Sequence, residues 1–213
     1  MKVSILSLVL FLQLIFVTPF FVSTQNDTIS NTFNKDFVYN VKKAHAAISI
    51  DGVLDEPDWQ AAQKATPFYR VLPVDTGLAI QQSVVLMTYD DEALYMAFTF
   101  YDTIPGKRIM ESFRRDFSFG NNDNFLSFFD TFLDQTNGFS FGISASGAKW
   151  DGTMSDGSAV NLDWDCKWQA ETKHHPDRWV SEMRIPFKSV RYPSGGRQWN
   201  VNFSRLDLKT NEK

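Results

Sequence analysis

Three tryptophans and four carboxylates stand where this chain could bind something. Trp150, Trp164 and Trp168 fall in a turn-rich stretch, 144–168. An exposed indole there could stack on the apolar face of a pyranose while neighbouring polar groups fix its hydroxyls. Asp151, Asp156, Asp163 and Asp165 share the stretch. Such a loop could hold structural calcium, which takes about six to eight oxygen ligands. The spacing is not that of a helix–loop–helix calcium site. Core packing of the indoles and solvation of the carboxylates are the plainer readings of the same residues.

Catalytic chemistry finds less support, and no catalytic residue is assigned. Glycoside hydrolysis needs two carboxylates flanking one bond, and no spacing pairs two of them here. His174 and His175 are adjacent, so on an extended chain they point opposite ways, which argues against a shared metal. There is no Gly-x-Ser-x-Gly elbow and no phosphate loop. The single cysteine, Cys166, rules out an intrachain disulfide and a cysteine-based zinc site. A buried structural thiol is expected of it.

The chain has 213 residues and a net charge of −4, with no Lys/Arg run longer than a pair. That balance argues against a nucleic-acid binder, which would show a clustered basic surface. Lys2 precedes an uncharged apolar stretch, 3–22, and a polar exit. This describes a secretory signal peptide over 1–24 with cleavage near Thr24–Gln25; the rival reading is an uncleaved anchor, since about 20 apolar residues can span a bilayer. Residues 25–36 are polar and read as a flexible tether. The globular part is expected over 37–213.

The elements that must position these residues are nearly all strands. Aromatics make up 15% of the chain, which suits pleated faces. Ser83–Tyr89 and residues 94–101 flank Asp90-Asp91-Glu92, a hairpin connection. Further strands are read at 125–132, after Asn137-Gly138, and at 168–172, 179–185 and 199–206. Turns are expected at Asp51-Gly52, Ser146-Gly147 and Asp151-Gly152. The one helix is predicted to start at Asp55 as N-cap, contain Trp59 and run about two turns toward Ala65. The fold class is therefore all-β: an antiparallel β-sandwich, immunoglobulin-like or jelly-roll-like, with one short N-terminal helix. Trp59, Trp179 and Trp199 are expected in its core. Trp199, Val201, Phe203 and Arg205 share a strand face, so a buried Arg205 needs a partner, and Glu182 is the expected one.

Five segments, in order, resemble the family 9 carbohydrate-binding modules. They are Ile50-Asp51-Gly52-Val53-Leu54-Asp55-Glu56-Pro57-Asp58-Trp59, Tyr89-Asp90-Asp91-Glu92-Ala93-Leu94-Tyr95, Asp123-Asn124-Phe125-Leu126-Ser127-Phe128-Phe129-Asp130, Trp179-Val180-Ser181-Glu182-Met183-Arg184-Ile185-Pro186-Phe187 and Trp199-Asn200-Val201-Asn202-Phe203. The resemblance implies a sandwich that binds sugar without cleaving it, in a family associated with glycosyl hydrolases and carbohydrate catabolism. Xylan or glucan would be the ligand, and some members hold calcium. In the best-known type the sugar lies between two tryptophans. One of them would fall near Phe119, the second beyond 199–206, and a family arginine near Phe141-Gly142. Only Phe119 is a plausible stand-in, so the ligand-binding candidates are Trp150, Trp164, Trp168 and Phe119.

Trp164-Asp165-Cys166-Lys167-Trp168 and Phe203-Ser204-Arg205 are similar to a subgroup at the N-terminus of large Gram-negative outer-membrane β-barrel proteins. Export to the periplasm, outer membrane or medium follows from that resemblance. The last residues, 209–213, read as a turn, so truncation before a C-terminal β-barrel region is expected. The alternatives are a sandwich that has lost its sugar site and serves as an accessory domain of a barrel, and a glycoside hydrolase.

Overall fold

Apolar side chains alternate along the longer strands, and two such sheets close their apolar faces on each other. The computed structural model describes residues 37–157 and 159–213; the expected signal peptide (1–24) and tether (25–36) lie outside the described residues. Residues Tyr39–Lys213 form one compact unit. The first sheet contains β1 (Lys42–Lys43), β2 (Lys64–Ala65), β3 (Ser83–Tyr89), β4 (Ala93–Tyr101), β9 (Gln169–His175) and β10 (Arg178–Pro186). Its order is β1-β3-β4-β10-β9, with β2 also on β3. The second sheet contains β5 (Asn124–Asp130), β6 (Gly138–Ser144), β7 (Lys149–Ser155), β8 (Ala159–Asn161) and β11 (Asn200–Leu206), in the order β11-β5-β6-β7-β8. All pairings are antiparallel except the two-residue β1 on β3. The chain is an all-β sandwich.

The interior is aromatic. Phe100 lies 3.9 Å, centroid to centroid, from Trp179 within the first sheet and 4.9 Å from Phe125 of the second. Phe98, Phe141, Met96 and Met183 complete a fully buried centre. Each such side chain contributes roughly 1.5–3 kcal/mol through burial alone.

The helix is shorter than the sequence suggests. α1 (Pro57–Ala61) has Glu56, not Asp55, as N-cap. Ala62 turns extended, and Lys64 and Ala65 pair with Leu86 and Val85. Sheet pairing wins because one helical turn has few internal hydrogen bonds to lose. Gly52 sits in the expected turn with φ +78°, a backbone state that glycine adopts without strain.

The turn expected at Asp151-Gly152 is instead the middle of β7. Gly152 serves close packing: a Cβ there would meet Val160 Cγ1 at 2.6 Å and the Asn161 carbonyl oxygen at 2.7 Å. The glycine lets β8 lie flat on β7.

The Arg205–Glu182 pair does not form. Arg205 points into the sandwich, where it donates to the carbonyls of Gln81, Gln82 and Tyr101 and to Asp207 Oδ2 at 3.2 Å. Glu182 alternates with Trp179, Ser181 and Met183, so it projects from the outer face of the first sheet. There it meets Trp59 and the Asp51-Gly52 turn. Both residues are buried, but on different faces.

Candidate functional site

The outer face of the second sheet is where small, aromatic and amide side chains come together. Register and alternation place Leu126 and Phe128 of β5, Ser140 and Gly142 of β6, Trp150 and Met154 of β7, and Asn202 and Ser204 of β11 on it. Asn202 stands opposite Phe128, Phe128 opposite Ser140, and Ser140 opposite Gly152.

One end of this face is closed. Leu126, Ala148, Trp150 and Phe117 form a buried cluster. Leu126 leans over Gly142, where a Cβ would lie only 2.5 Å from Leu126 Cδ2. The segment 111–122 forms the cover. Buried Asn122 holds it, accepting from the backbone N–H of Glu111 (2.8 Å) and Ser112 (3.0 Å) and donating to the Ser118 carbonyl (3.1 Å). Asn124 Nδ2 adds a bond to the Phe119 carbonyl at 3.0 Å. Phe119 rests edge-on against Trp150, 4.8 Å between centroids, and keeps 37% of its surface in solvent.

The other end is open. A cleft of about 280 Å³ is lined by Phe128, Met154, Asp130, Gln135, Asn200 and Asn202, among others. Its floor is apolar and its rim carries amides. Asp130 builds the rim. Its Oδ1 accepts from the N–H of Phe132 and Asp134, both at 3.2 Å. Its Oδ2 accepts from Gln135 N–H (2.9 Å) and Asn200 Nδ2 (3.1 Å). Asp134 accepts from the Thr136 and Asn137 N–H groups and from Asn137 Nδ2, and these donors hold its carboxyl well below the usual carboxylate range. Leu133 and Gln135 adopt left-handed backbone, both with φ 60°, a strained state for residues other than glycine. Both carboxylates are engaged by N–H donors. The amide groups of Gln135, the Oδ1 of Asn200 and the Nδ2 of Asn202 have no partner among the described residues.

The four sequence-predicted stacking residues fall on two sides of the sheet. Phe119 and Trp150 meet on the outer face. Trp164 packs inward, 5.3 Å from Phe139, and Trp168 lies 5.5 Å from Phe141 under the Lys149 ammonium. Trp150 and Trp168 are buried, so the three tryptophans form no exposed platform. The reason is their alternation against Phe139 and Phe141, whose inward faces recruit Trp164 and Trp168.

The four aspartates do not converge either. Asp151 is buried and pairs with Arg115 Nη2, which also holds Asp165 at 2.5 Å. Desolvation pushes the Asp151 carboxyl up, against hydrogen bonds and Arg115. Asp156 lies in a turn after β7 and Asp163 beyond β8, where its N–H donates to Asn161 Oδ1. With a guanidinium already between Asp151 and Asp165, these residues do not fit a calcium ion. Among the described residues no group of three or more His, Cys, Asp or Glu could hold a metal. Cys166 is half-buried, and burial pushes its thiol up to about 12.

The cleft residues Phe128, Met154, Asn200, Asn202 and Gln135 were not singled out by sequence. A signal was present: Asn200, Asn202 and Ser204 recur every second residue opposite Val201, Phe203 and Arg205.

Two sheets, an aromatic interior and a half-covered outer face define a two-sheet β-sandwich. The chain's fold is similar to three solved structures. One is a family 9 carbohydrate-binding module of Caldicellulosiruptor kristjanssonii in complex with cellotriose: TM-score 0.56, 16% identity, covering 81% of this chain and 80% of that one. A second is a family 9 module of the same organism in complex with glucose, with TM-score 0.57, 17% identity and coverage of 81% and 82%. The third, from Bacteroides uniformis, is classed as a candidate carbohydrate-binding protein: TM-score 0.61, 10% identity, coverage 81% and 85%. No protein-family model and no curated protein matches the chain.

Proposed function

We propose that this chain is a non-catalytic carbohydrate-binding domain whose ligand lies in the cleft over Phe128 and Met154. One observation carries the reading: an apolar floor faces unpartnered amides from Gln135, Asn200 and Asn202. Pyranose rings pair an apolar face with hydroxyls that amides recognise. The cleft's carboxylate, Asp130, is occupied by four N–H donors, which leaves it unsuited to acid–base work on a glycosidic bond. The solved sandwiches of the same fold were captured with cellotriose and glucose, which favours a glucan over xylan. The apolar stretch 3–22 supports an exported protein, and the resemblance supports the outer-membrane setting.

With one aromatic floor and no opposing ring, binding is expected near the millimolar range, about 4 kcal/mol. Titration of the full chain with cello- and xylo-oligosaccharides, followed by tryptophan fluorescence, tests this. Asn202→Ala should weaken binding several-fold without moving the melting temperature. Micromolar binding that survives both Asn202→Ala and Phe128→Ala would put the site elsewhere.

A second reading, an accessory domain docking on a partner, is favoured by a separate feature. Tyr69, Val71, Leu72, Val74, Leu78 and Ile80 are each 50–61% exposed on one loop, a bare apolar surface of the kind that marks contacts. Failure to bind any glycan would turn the assignment to this reading.

A further inference from the structure

The strands and turns that build most of the cleft are poor in positive charge. From β5 through β8, residues 124–161, the chain has four aspartates and a single cation, Lys149. Lys149 is engaged away from the cleft: it donates to the Trp168 carbonyl at 3.0 Å and sits over the Trp168 ring. Of the aspartates, Asp151 is buried against Arg115. Asp130, Asp134 and Asp156 remain, and none of the three is in an ion pair among the described residues.

Asp130 lines the cleft itself and is the one ionisable side chain in its lining among the described residues. Asp134 is exposed and bonded to two more lining residues, accepting the N–H groups of Thr136 and Asn137 at 2.8 Å each and Asn137 Nδ2 at 2.9 Å. Asp156 adjoins a third, Gly157, whose N–H donates to the Thr136 carbonyl at 2.9 Å. The partners of Asp130 and Asp134 are neutral N–H groups. Such donors satisfy a carboxylate's lone pairs but leave its net charge in place. A carboxylate or sulfate on an entering ligand would therefore meet negative charge and no cation. It would shed hydration water without gaining an ion pair. The apolar floor and the amides of Gln135, Asn200 and Asn202 make contacts that do not depend on ligand charge.

We propose that Asp130 and Asp134 make this cleft selective against acidic glycans, so that it takes neutral or amine-bearing sugars. The inference rests on the carbohydrate-binding reading and adds the ligand's charge to it. Like charges several ångströms apart in an open cleft repel only modestly in water, and salt screens them. The discrimination is thus a matter of severalfold changes that ionic strength controls.

The test uses the purified full chain and three β-1,4-linked oligomers of equal length, built from glucose, glucosamine and glucuronate. They share one backbone and differ in charge. Calorimetry runs at low ionic strength and about pH 6, where carboxylates are negative and most of the amines positive. The glucuronate oligomer should bind about fivefold more weakly than the glucose oligomer, and the glucosamine oligomer at least as tightly as the glucose one. The gap should close to within about twofold in about 1 M salt, where the Debye length is about 3 Å. It should also narrow in Asp134→Asn, whose amide oxygen can still accept the N–H groups of the turn. The salt titration of the parent makes the test independent of how any variant folds. Glucuronate binding that equals or exceeds glucose-oligomer binding at low salt overturns the charge inference and leaves the carbohydrate reading standing. So does a gap that persists undiminished in high salt, or a glucosamine oligomer that binds as weakly as the glucuronate one, since fit and not charge would then be the cause. No binding of any of the three overturns this inference and the glucan reading together.

Discussion

Trp59 donates its indole N–H to Glu182 Oε1 at 3.0 Å, joining residues 123 positions apart. Glu182 Oε2 accepts the backbone N–H groups of Gly52 (2.7 Å) and Asp51 (3.0 Å). One buried carboxylate thus fastens the segment 50–59 onto the outer face of the first sheet, and explains why that segment combines a tight glycine turn with a tryptophan.

Replacing Glu182 by Gln should destabilise the fold. The amide offers one acceptor oxygen, so either the indole or the two backbone donors face an NH2 group. A buried donor left unsatisfied costs about 1–3 kcal/mol, and the melting temperature should drop by several degrees. Burial pushes the Glu182 carboxyl up, against the bonds from Gly52, Asp51 and Trp59. The folded form therefore holds its proton to higher pH than the unfolded chain, whose glutamate titrates near about 4.3. This group's contribution is greatest below that value and declines as pH rises through the folded one. Thermal melts from pH 4 upward should show the decline in the parent and lack it in Glu182→Gln.

Arg205→Met should be costly despite conserving much of the volume. The guanidinium satisfies three carbonyls, those of Gln81, Gln82 and Tyr101, and pairs with Asp207. Removing it leaves these acceptors and a buried carboxylate without their cation, which costs about 3–5 kcal/mol. The midpoint of urea unfolding should fall accordingly, and an unchanged midpoint would refute the account.

His174 should make the β9 end of the fold sensitive to mild acid. Its Nδ1 lies 2.6 Å from Arg108 Nη1, which requires the neutral ring as acceptor, while Arg108 Nε bonds Asp102 at 2.6 Å and Lys209 bonds the same carboxylate at 2.7 Å. Burial, then the Arg108 charge and that of His175, lowers the His174 pKa. The unfolded chain therefore binds this proton first. Stability from the neutral ring is complete above about 6.5, the ordinary histidine value, and is lost as pH falls from there toward the depressed folded value. Melts between pH 8 and 5 should reveal that slope, and His174→Gln should flatten it.

Gly152→Ala should push β8 off β7, since the added methyl would overlap Val160 and the Asn161 carbonyl. Overpacking of this kind costs about 1–3 kcal/mol. Because Met154 pairs with Val160 and lines the cleft, the substitution should also weaken any ligand held there. Amide exchange at residues 153–155 and 159–161 would report the loosened pairing.

The sequence was sufficient for what depends on local period and turn chemistry. Alternation of Leu94, Met96, Phe98 and Phe100 marks β4, and Asp90-Asp91-Glu92 marks its hairpin; both stand in the structure, as do Asn137-Gly138 at the start of β6 and the burial of Trp59 and Trp179. Period also predicts that Arg205 is buried. It cannot say against what, because a two-residue repeat defines two faces without saying what covers each. Only the tertiary structure decided that Glu182 faces a helix while Arg205 faces the opposing sheet. The cleft is of the same kind. Asn202 and Phe128 are 74 positions apart, and β11 pairing on β5 makes them neighbours. The tryptophans at 150, 164 and 168 look alike in sequence. Their sorting, one outward and two inward, came from pairing Gly142 with Trp150 and packing Trp164 and Trp168 on Phe139 and Phe141, contacts that exist only once the strands have found their partners.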